Sequence, residues 1–175
     1  MSRKFLTNNL YLKPFFDEIN KYSEEVHNLN EGSNIRDIEQ LELSLKIKLP
    51  INYKNFLEIC NGGELFAVPA GIILSEVYIS SKGSMKKGVS YLNESFKRER
   101  RWTNMPEEFL IIADTSYGDT ICMDLETSND IDARIVKWSH EEGEIVNSWE
   151  RLIDWLMEEL EIGAMLVDYD GTDKE

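Results

Sequence analysis

The sequence predicts a single α+β domain, with a mostly antiparallel sheet flanked by helices. Helical patterns stand at both ends of the chain, and strand patterns cluster between them instead of alternating with helices, as is typical of this fold class. Within the cluster, two apolar runs flank the corner Tyr117-Gly118-Asp119, which predicts two strands joined by a tight turn. A chain of 175 residues is the size of one domain with one core.

A long amphipathic helix is predicted near the N-terminus. Five apolar residues follow one another at spacings of four, three, four and three, which places them on one helical face. These residues are Phe15, Ile19, Tyr22, Val26 and Leu29. Pro14 suits the first turn of this helix, where a backbone N–H would have no partner within the helix.

Two further helices are predicted before the sheet. The first is capped by Ser33 or Asn34 and ends by Leu49, because Pro50 disfavours helical geometry in the residue before it. Its inward residues are Ile35, Ile38, Leu41 and Leu45. Pro50 then begins the next helix, which Asn61-Gly62-Gly63 ends by supplying left-handed backbone geometry. The inward residues of this helix are Tyr53, Phe56, Leu57 and Cys60.

Short strands and one more helix are predicted in the middle of the chain. Apolar runs at 65–68, 71–74 and 77–79 are separated by Pro69 and polar breaks, as in a small meander. Val89, Leu92 and Phe96 can then line one face of a helix. That helix ends in the basic run from Lys97 to Arg101, whose charge complements a helix C-terminus.

The sequence pattern in the last third of the chain predicts three strands and a closing helix. Residues 109–113 and 120–123 are continuous apolar runs, whereas 134–138 alternates polar and apolar residues, as in a sheet with one covered face. A turn follows at 139–143. Asn147 with Glu150 resembles a capping box at the start of the closing helix. The apolar residues of that helix are Trp149, Leu152, Ile153, Leu156 and Leu160.

The composition indicates a soluble globular protein with an acidic surface. The 33 acidic and 19 basic residues give a formal net charge of −14, which repels polyanions and attracts cationic proteins. We therefore expect no nucleic acid and no membrane partner. A basic protein partner fits this charge, and so does a surface that is acidic only for solubility.

Cysteine usage and the N-terminus predict cytoplasmic residence. Cys60 and Cys122 each lie in an apolar segment, which indicates buried thiols in a reducing compartment. Polar residues at Asn8, Asn9 and Lys13 interrupt any secretory apolar core. No apolar run approaches the roughly 20 residues that span a bilayer.

A metal-dependent hydrolase is the catalytic hypothesis that the residues allow. Asp114, Asp119, Asp124, His140 and Glu141 would have to form an oxygen-rich site with one imidazole. Against this hypothesis, successive aspartates are five residues apart, and residues at that spacing lie on opposite faces of a regular strand. His140 is more simply a histidine of a surface turn. We therefore expect no catalytic residue, no metal and no cofactor.

Several short motifs occur in order along the chain between about Asn34 and Leu160. It comprises Ile38-Glu39, Leu49-Pro50, Asn61-Gly62-Gly63, Phe109-Leu110-Ile111-Ile112-Ala113-Asp114, Tyr117-Gly118-Asp119, Val136-Lys137-Trp138-Ser139-His140-Glu141 and Trp155-Leu156. Together these motifs resemble the SUKH superfamily, and within it the branch that contains the fungal Smi/Knr cell-wall-synthesis regulators. The long first helix, the basic run and the acidic tail depart from that pattern.

The resemblance implies an α+β fold and a protein that binds without catalysing a reaction. Bacterial members are immunity proteins that neutralise a cognate polymorphic toxin, frequently a nuclease, whereas the fungal relatives suggest a regulatory scaffold. The implied fold markers are Pro50, Gly62, Gly63, Gly118, Asp119, Trp138 and Trp155. The implied organisation is an N-terminal helical extension over 1–33 packed on the domain, a SUKH-like domain over 34–160 and an acidic tail over 161–175.

A cationic toxin is the partner that charge and resemblance favour together. Nucleases bind polyanions and are commonly basic, so an acidic inhibitor gains a fast encounter and repels the substrate. The solvent-facing carboxylates expected to contribute are Asp119, Glu141, Glu142 and Glu144. The partner's identity and the oligomeric state stay open.

Overall fold

An antiparallel sheet of seven strands organises the computed structural model, which describes residues 4–67, 72–74, 89, 93 and 104–174. The strands lie side by side in chain order: β1 (Asn28–Leu29), β2 (Gly63–Leu65), β3 (Ile72–Leu74), β4 (Phe109–Thr115), β5 (Thr120–Asp124), β6 (Ile135–Trp138) and β7 (Ile145–Trp149). The helices are α1 (Lys13–Ile19), α2 (Ile35–Leu45), α3 (Ile51–Ile59) and α4 (Leu152–Ala164). The predicted α+β fold is confirmed.

The central strands are buried on both faces of the sheet. β4 and β5 are buried along their whole length. One face joins the main core, which includes Ile121, Ile135 and Trp155. The opposite face carries a second apolar cluster, formed by Met105, Phe109, Ile111, Cys122, Val136 and Trp138. The prediction of a sheet with one covered face is therefore wrong, because alternate residues of β4 to β6 enter different clusters.

The N-terminal helix is shorter than predicted. α1 ends at Ile19, and Tyr22 and Val26 lie in turns. All five residues of the predicted apolar face are nevertheless buried. The backbone N–H of Ser23 donates to the carbonyl of Tyr169 at 2.7 Å, a contact with the C-terminal segment that a continuing helix would not allow. The apolar spacing therefore predicts which side chains are buried, but not where the helix ends, which depends on a contact with a distant part of the chain.

α2 and α3 begin at the predicted caps. Asn34 accepts the backbone N–H of Asp37 at 3.0 Å, and Pro50 directly precedes α3. The glycines after α3 have the expected positive φ, 71° at Gly62 and 119° at Gly63. In α2, Ile35 is 47% exposed. Its predicted inward position is wrong, because the core-facing stripe of α2 begins only at the following turn.

An additional strand precedes the closing helix. β7 pairs with β6, so Trp149 lies in a strand and α4 begins only at Leu152. The predicted capping box of Asn147 and Glu150 is therefore wrong. The start of α4 is capped by a distant residue instead, since Asp132 Oδ1 accepts the backbone N–H of Leu152 at 3.1 Å.

The remaining predictions about local structure have mixed outcomes. Both cysteines are buried and free, as expected. Val89 is helical and buried, whereas Leu92, Phe96, the run from Lys97 to Arg101 and the strand at 77–79 lie outside the described residues.

In the parts of the chain that are described, no helix has both the length and the apolar character needed to cross a membrane.

His27 is a largely buried, neutral hydrogen-bond acceptor. Its Nδ1 accepts the backbone N–H of Phe66 at 3.1 Å, and its ring packs edge-on against Tyr22 and Phe66. Burial lowers the pKa of His27 to about 4, because the apolar surroundings disfavour the charged imidazolium.

Acidification is therefore expected to destabilise the fold through His27. The unfolded chain binds this proton near pH 6.5 and the folded chain only near pH 4. The free energy of unfolding should fall by about 2–3 kcal/mol as the pH drops through that interval. Urea titrations at pH 7, 5.5 and 4 measure this, with His27→Asn as the comparison, since asparagine keeps an acceptor but does not titrate. Equal losses in both proteins would show that His27 is not the cause.

Candidate partner-binding surface

Two hairpin turns are bonded side by side at one end of the sheet, and we call residues 115–119 and 139–144 together the turn end. Thr115 ends β4 and residues 116–119 join it to β5, whereas residues 139–144 join β6 to β7. Asp119 Oδ1 accepts the backbone N–H of His140 at 3.1 Å and lies 3.0 Å from its Nδ1. The predicted Asp119 and His140 therefore do meet, and their contact joins the two turns.

Three of the four predicted partner-binding residues face solvent at the turn end. Glu141, Glu142 and Glu144 are all exposed. Asp119 is only 9% exposed, so the expectation that it faces solvent is wrong. Its carboxylate is occupied by His140 and positions the turn that carries the other three acids.

Gly118 gives His140 the room for this contact. Its φ of 101° lies in the region that favours glycine. A Cβ at this position would lie 3.0 Å from the imidazole ring of His140. His140 is less exposed than a simple surface histidine, since 29% of its side chain is accessible. The fold marker Gly118 thus supports the geometry of the turn end.

The residues of the hydrolase hypothesis do not all converge. Asp119 directly precedes β5 and Asp124 is the last of its five residues, which separates the two aspartates by roughly 17 Å. Asp124 Oδ1 instead accepts the backbone N–H groups of Glu126 and Thr127, which stabilises the following turn. Among the residues that the structure describes, no three His, Cys, Asp or Glu side chains are placed to hold a metal ion.

A cleft of about 210 Å³ opens beside the turn end, between the sheet and α4, and we call it the α4 cleft. Its lining comprises Phe66, Ile72, Tyr117, Lys137, Asn147, Trp149, Glu158, Glu159, Ile162, Gly163, Leu166 and Val167. The helix approaches the sheet closely at Gly163, where a Cβ would lie 2.1 Å from the ring of Phe66. The cleft therefore has a tightly packed inner end and an open rim.

Lys137 brings a positive charge to the α4 cleft, and this charge is already engaged. Its Nζ lies 4.6 Å from the ring centroid of Tyr117, bonds the Tyr117 hydroxyl, and lies 3.9 Å from Asp119 Oδ2. A cation over an aromatic face and beside a carboxylate is partly neutralised. Asp119 thus links the α4 cleft to the turn end.

Two carboxylates of α4, Glu158 and Glu159, line the same cleft as Lys137. The indole N–H of Trp149 donates to Glu158 Oε2 at 2.8 Å, and that of Trp155 donates to Glu159 Oε1 at 3.0 Å. Burial raises the pKa of the Glu159 carboxyl above its usual range, although the Trp155 bond and the charge of Lys137 act in the opposite direction. Glu159 is therefore a partly desolvated acid.

Glu158 and Glu159 are not among the site residues that the sequence predicts. The sequence pattern places Trp149 in the closing helix, which does not predict its bond to Glu158. Consecutive glutamates on a helix also usually lie on its solvated face. The available signal was the spacing of four between Trp155 and Glu159, which puts both on one side of a helix.

The two tryptophan fold markers are packing residues in separate clusters. Trp155 is 1% exposed in the main core. Trp138 lies in the second cluster, edge-on to Phe109 with ring centroids 6.1 Å apart. Both sheet faces thus carry one of these markers.

Comparison with known protein families gives a match that covers most of the chain. The SMI1 / KNR4 family (SUKH-1) matches residues 32–158, a stretch that includes the turn end and most of the α4 cleft. A search of curated proteins gives no match. The family match covers well over half of the chain, and the chain therefore belongs to the SMI1/KNR4 family (SUKH-1).

Proposed function

We propose that this protein is an immunity protein that neutralises a cognate basic toxin, such as a nuclease, by direct binding and without catalysing a reaction. The observation that carries the proposal is the turn end, where Glu141, Glu142 and Glu144 are exposed on one turn, which Asp119 joins to the neighbouring turn. Family membership supports a binding role. The net charge of −14 supports a cationic partner.

The arrangement of the turn end suits fast, selective binding. Carboxylates concentrated on one surface steer a cationic partner and raise its association rate. The Asp119–His140 contact holds both turns together before binding, which reduces the entropy that association must cost. On a nuclease, an acidic cover over the substrate cleft would also repel the phosphate backbone.

Co-expression with a toxin encoded next to this gene tests the proposal. The toxin domain alone should arrest growth, co-expression of this protein should restore it, and the two should co-purify as a complex. Growth arrest that persists despite full expression of this protein, with no complex at micromolar concentrations, would reject the proposal.

Charge reversal at the turn end is expected to slow association with that toxin. The triple variant Glu141→Lys, Glu142→Lys, Glu144→Lys should reduce the association rate constant by about 10- to 100-fold at low salt, because steering is lost. The difference should shrink as salt screens the charges. Stopped-flow mixing at several salt concentrations measures it.

A matched control separates the turn end from overall charge. Glu25, Glu39 and Glu58 are exposed elsewhere on the molecule, and their reversal to lysine changes the net charge by the same amount. This control should lose much less of the association rate. Equal losses in the two triple variants would place the interface elsewhere.

A further inference from the structure

We propose that the α4 cleft receives an arginine side chain of the bound protein, with the guanidinium held by Glu158 and Glu159. This inference rests on the proposed function and specifies the chemistry of one contact within it. It adds a second point of attachment beside the turn end, formed by residues of α4 and not by the hairpin turns.

Both carboxylates are held only by neutral donors in the described structure. Glu158 accepts from the indole of Trp149 and, at 3.5 Å, from the amide of Asn147, and Glu159 accepts from the indole of Trp155. Within the described part of the chain, no ion pair within 4 Å involves either acid. A carboxylate with one or two donors keeps lone pairs for further ones. A guanidinium supplies such donors in a planar fork.

The walls of the cleft suit the stem and the plane of an arginine. Ile162 and Leu166, 47% and 49% exposed, form an apolar rim. Phe66 and Trp149 supply aromatic surface inside it. Arginine lays its methylene stem along apolar surface while its head meets polar groups, and its guanidinium packs well on aromatic faces.

The charges of the cleft favour a cation over other guests. Lys137 is the cationic lining residue, but its ammonium is shared with Asp119 and Tyr117. Neither Glu158 nor Glu159 has a cation within 4 Å among the described residues, and Lys137 acts on Glu159 only from farther away. An anionic guest would meet two acids. A second copy of this chain would bring the same excess of negative charge.

Glu159 also weakens the fold in the absence of a partner. Burial raises the pKa of its carboxyl, so the ionised form destabilises the folded state at neutral pH, and this effect disappears as the pH falls below the usual range of a glutamate. A glutamine would avoid this cost and keep an acceptor for Trp155. A charge that lines a cleft and lowers stability is expected to be kept when it is needed for binding.

A small arginine analogue tests the cleft without any protein partner. Wild-type protein is titrated with N-acetyl-L-argininamide, and the indole N–H signals of Trp149 and Trp155 are followed by NMR. Both signals should shift and saturate with a dissociation constant on the order of millimolar. The neutral analogue N-acetyl-L-citrullinamide should give no saturating shift. Equal responses to both compounds, or none to either, would overturn the proposal.

Conservative variants link the response to the two acids. Glu158→Gln combined with Glu159→Gln should raise the dissociation constant for the arginine analogue at least tenfold. Glu159→Gln alone should also raise the urea midpoint at pH 7, which shows that the loss of binding is not unfolding. Glu39→Gln, an exposed position on α2 that does not line the cleft, is the control and should bind like wild type. Unchanged binding by the double variant would overturn the proposal.

The toxin complex separates this inference from the proposed function. If wild type binds the toxin, the double variant should dissociate from it at least ten times faster. A double variant that dissociates like wild type would reject the arginine contact and leave the immunity role intact. A wild-type protein that binds the arginine analogue but not the toxin would reject the immunity role.

Discussion

Replacement of Asp132 by alanine is expected to lower the free energy of unfolding by about 3–4 kcal/mol, because this carboxylate joins three separate parts of the chain. Its Oδ2 accepts the hydroxyl of Tyr11 and the side-chain amide of Asn52, the latter at 3.0 Å. Its Oδ1 accepts the backbone N–H of Leu152 at the start of α4. Alanine would leave all three donors without this acceptor.

The loop that carries Asp132 supports the starts of two helices. The backbone N–H groups of Ile51 and Asn52 at the start of α3 donate to the carbonyls of Asp130 and Ile131. These N–H groups have no partner within their own helix, and the negative charge of Asp132 also interacts favourably with the helix dipole of α4. The loop therefore fixes both helices against the sheet.

Urea unfolding followed by circular dichroism measures the effect of Asp132→Ala. Asp154→Ala is the matched control, since Asp154 lies in the first turn of the same helix but pairs with the exposed Arg151. The control should cost less than about 1 kcal/mol. The double variant Asp132→Ala, Tyr11→Phe should lose less stability than the sum of the two single losses, because both changes disrupt the same hydrogen-bond network. Similar losses at Asp132 and Asp154 would contradict the role assigned to the loop.

Replacement of Gly63 by alanine is expected to cost about 4 kcal/mol, through backbone strain and a direct clash. The φ of Gly63 is 119°. An added Cβ would lie 2.3 Å from the carbonyl oxygen of Asn28 and 2.7 Å from the Cα of Leu29. Both are backbone atoms of β1, so the clash can be relieved only by moving β1 away from β2.

Gly143→Ala is the control for backbone strain alone. Gly143 has a φ of 68° in the turn between β6 and β7, where alanine should cost about 1 kcal/mol. Thermal and urea unfolding of both variants compare the two costs. A Gly63→Ala protein no less stable than Gly143→Ala would show that β1 can shift freely. In that case the short pairing of β1 with β2 adds little to the fold.

The local predictions succeeded where short stretches of sequence carry the whole signal. Asn34 caps α2 with its own side chain. Gly62 and Gly63 follow the end of α3 with the positive φ angles that favour glycine, as predicted. The turn around Gly118 lies between two buried strands as predicted. Each of these outcomes depends on residues within a few positions of one another.

The predictions failed where a distant residue supplies the decisive contact. The capping box at Asn147 was wrong because Asp132, twenty positions before Leu152, caps α4. α1 stops early as the Ser23 backbone bonds to Tyr169. Similarly, Asp119 was expected to face solvent, but His140 on another turn occupies its carboxylate. The sequence thus predicts the two turns, but it wrongly places Asp119 among the solvent-facing acids.

By itself, the sequence determined the α+β class, the net negative charge and the turn that carries Glu141, Glu142 and Glu144, because periodicity, charge and turn chemistry are local properties. Only the tertiary structure decided that Glu158, Glu159 and Lys137 line one cleft, and that Asp132 holds the start of α4. These outcomes depend on which strand lies beside which helix. Strand pairing and helix packing join residues that lie far apart in the chain. The sequence pattern of one segment does not show which other segment it contacts.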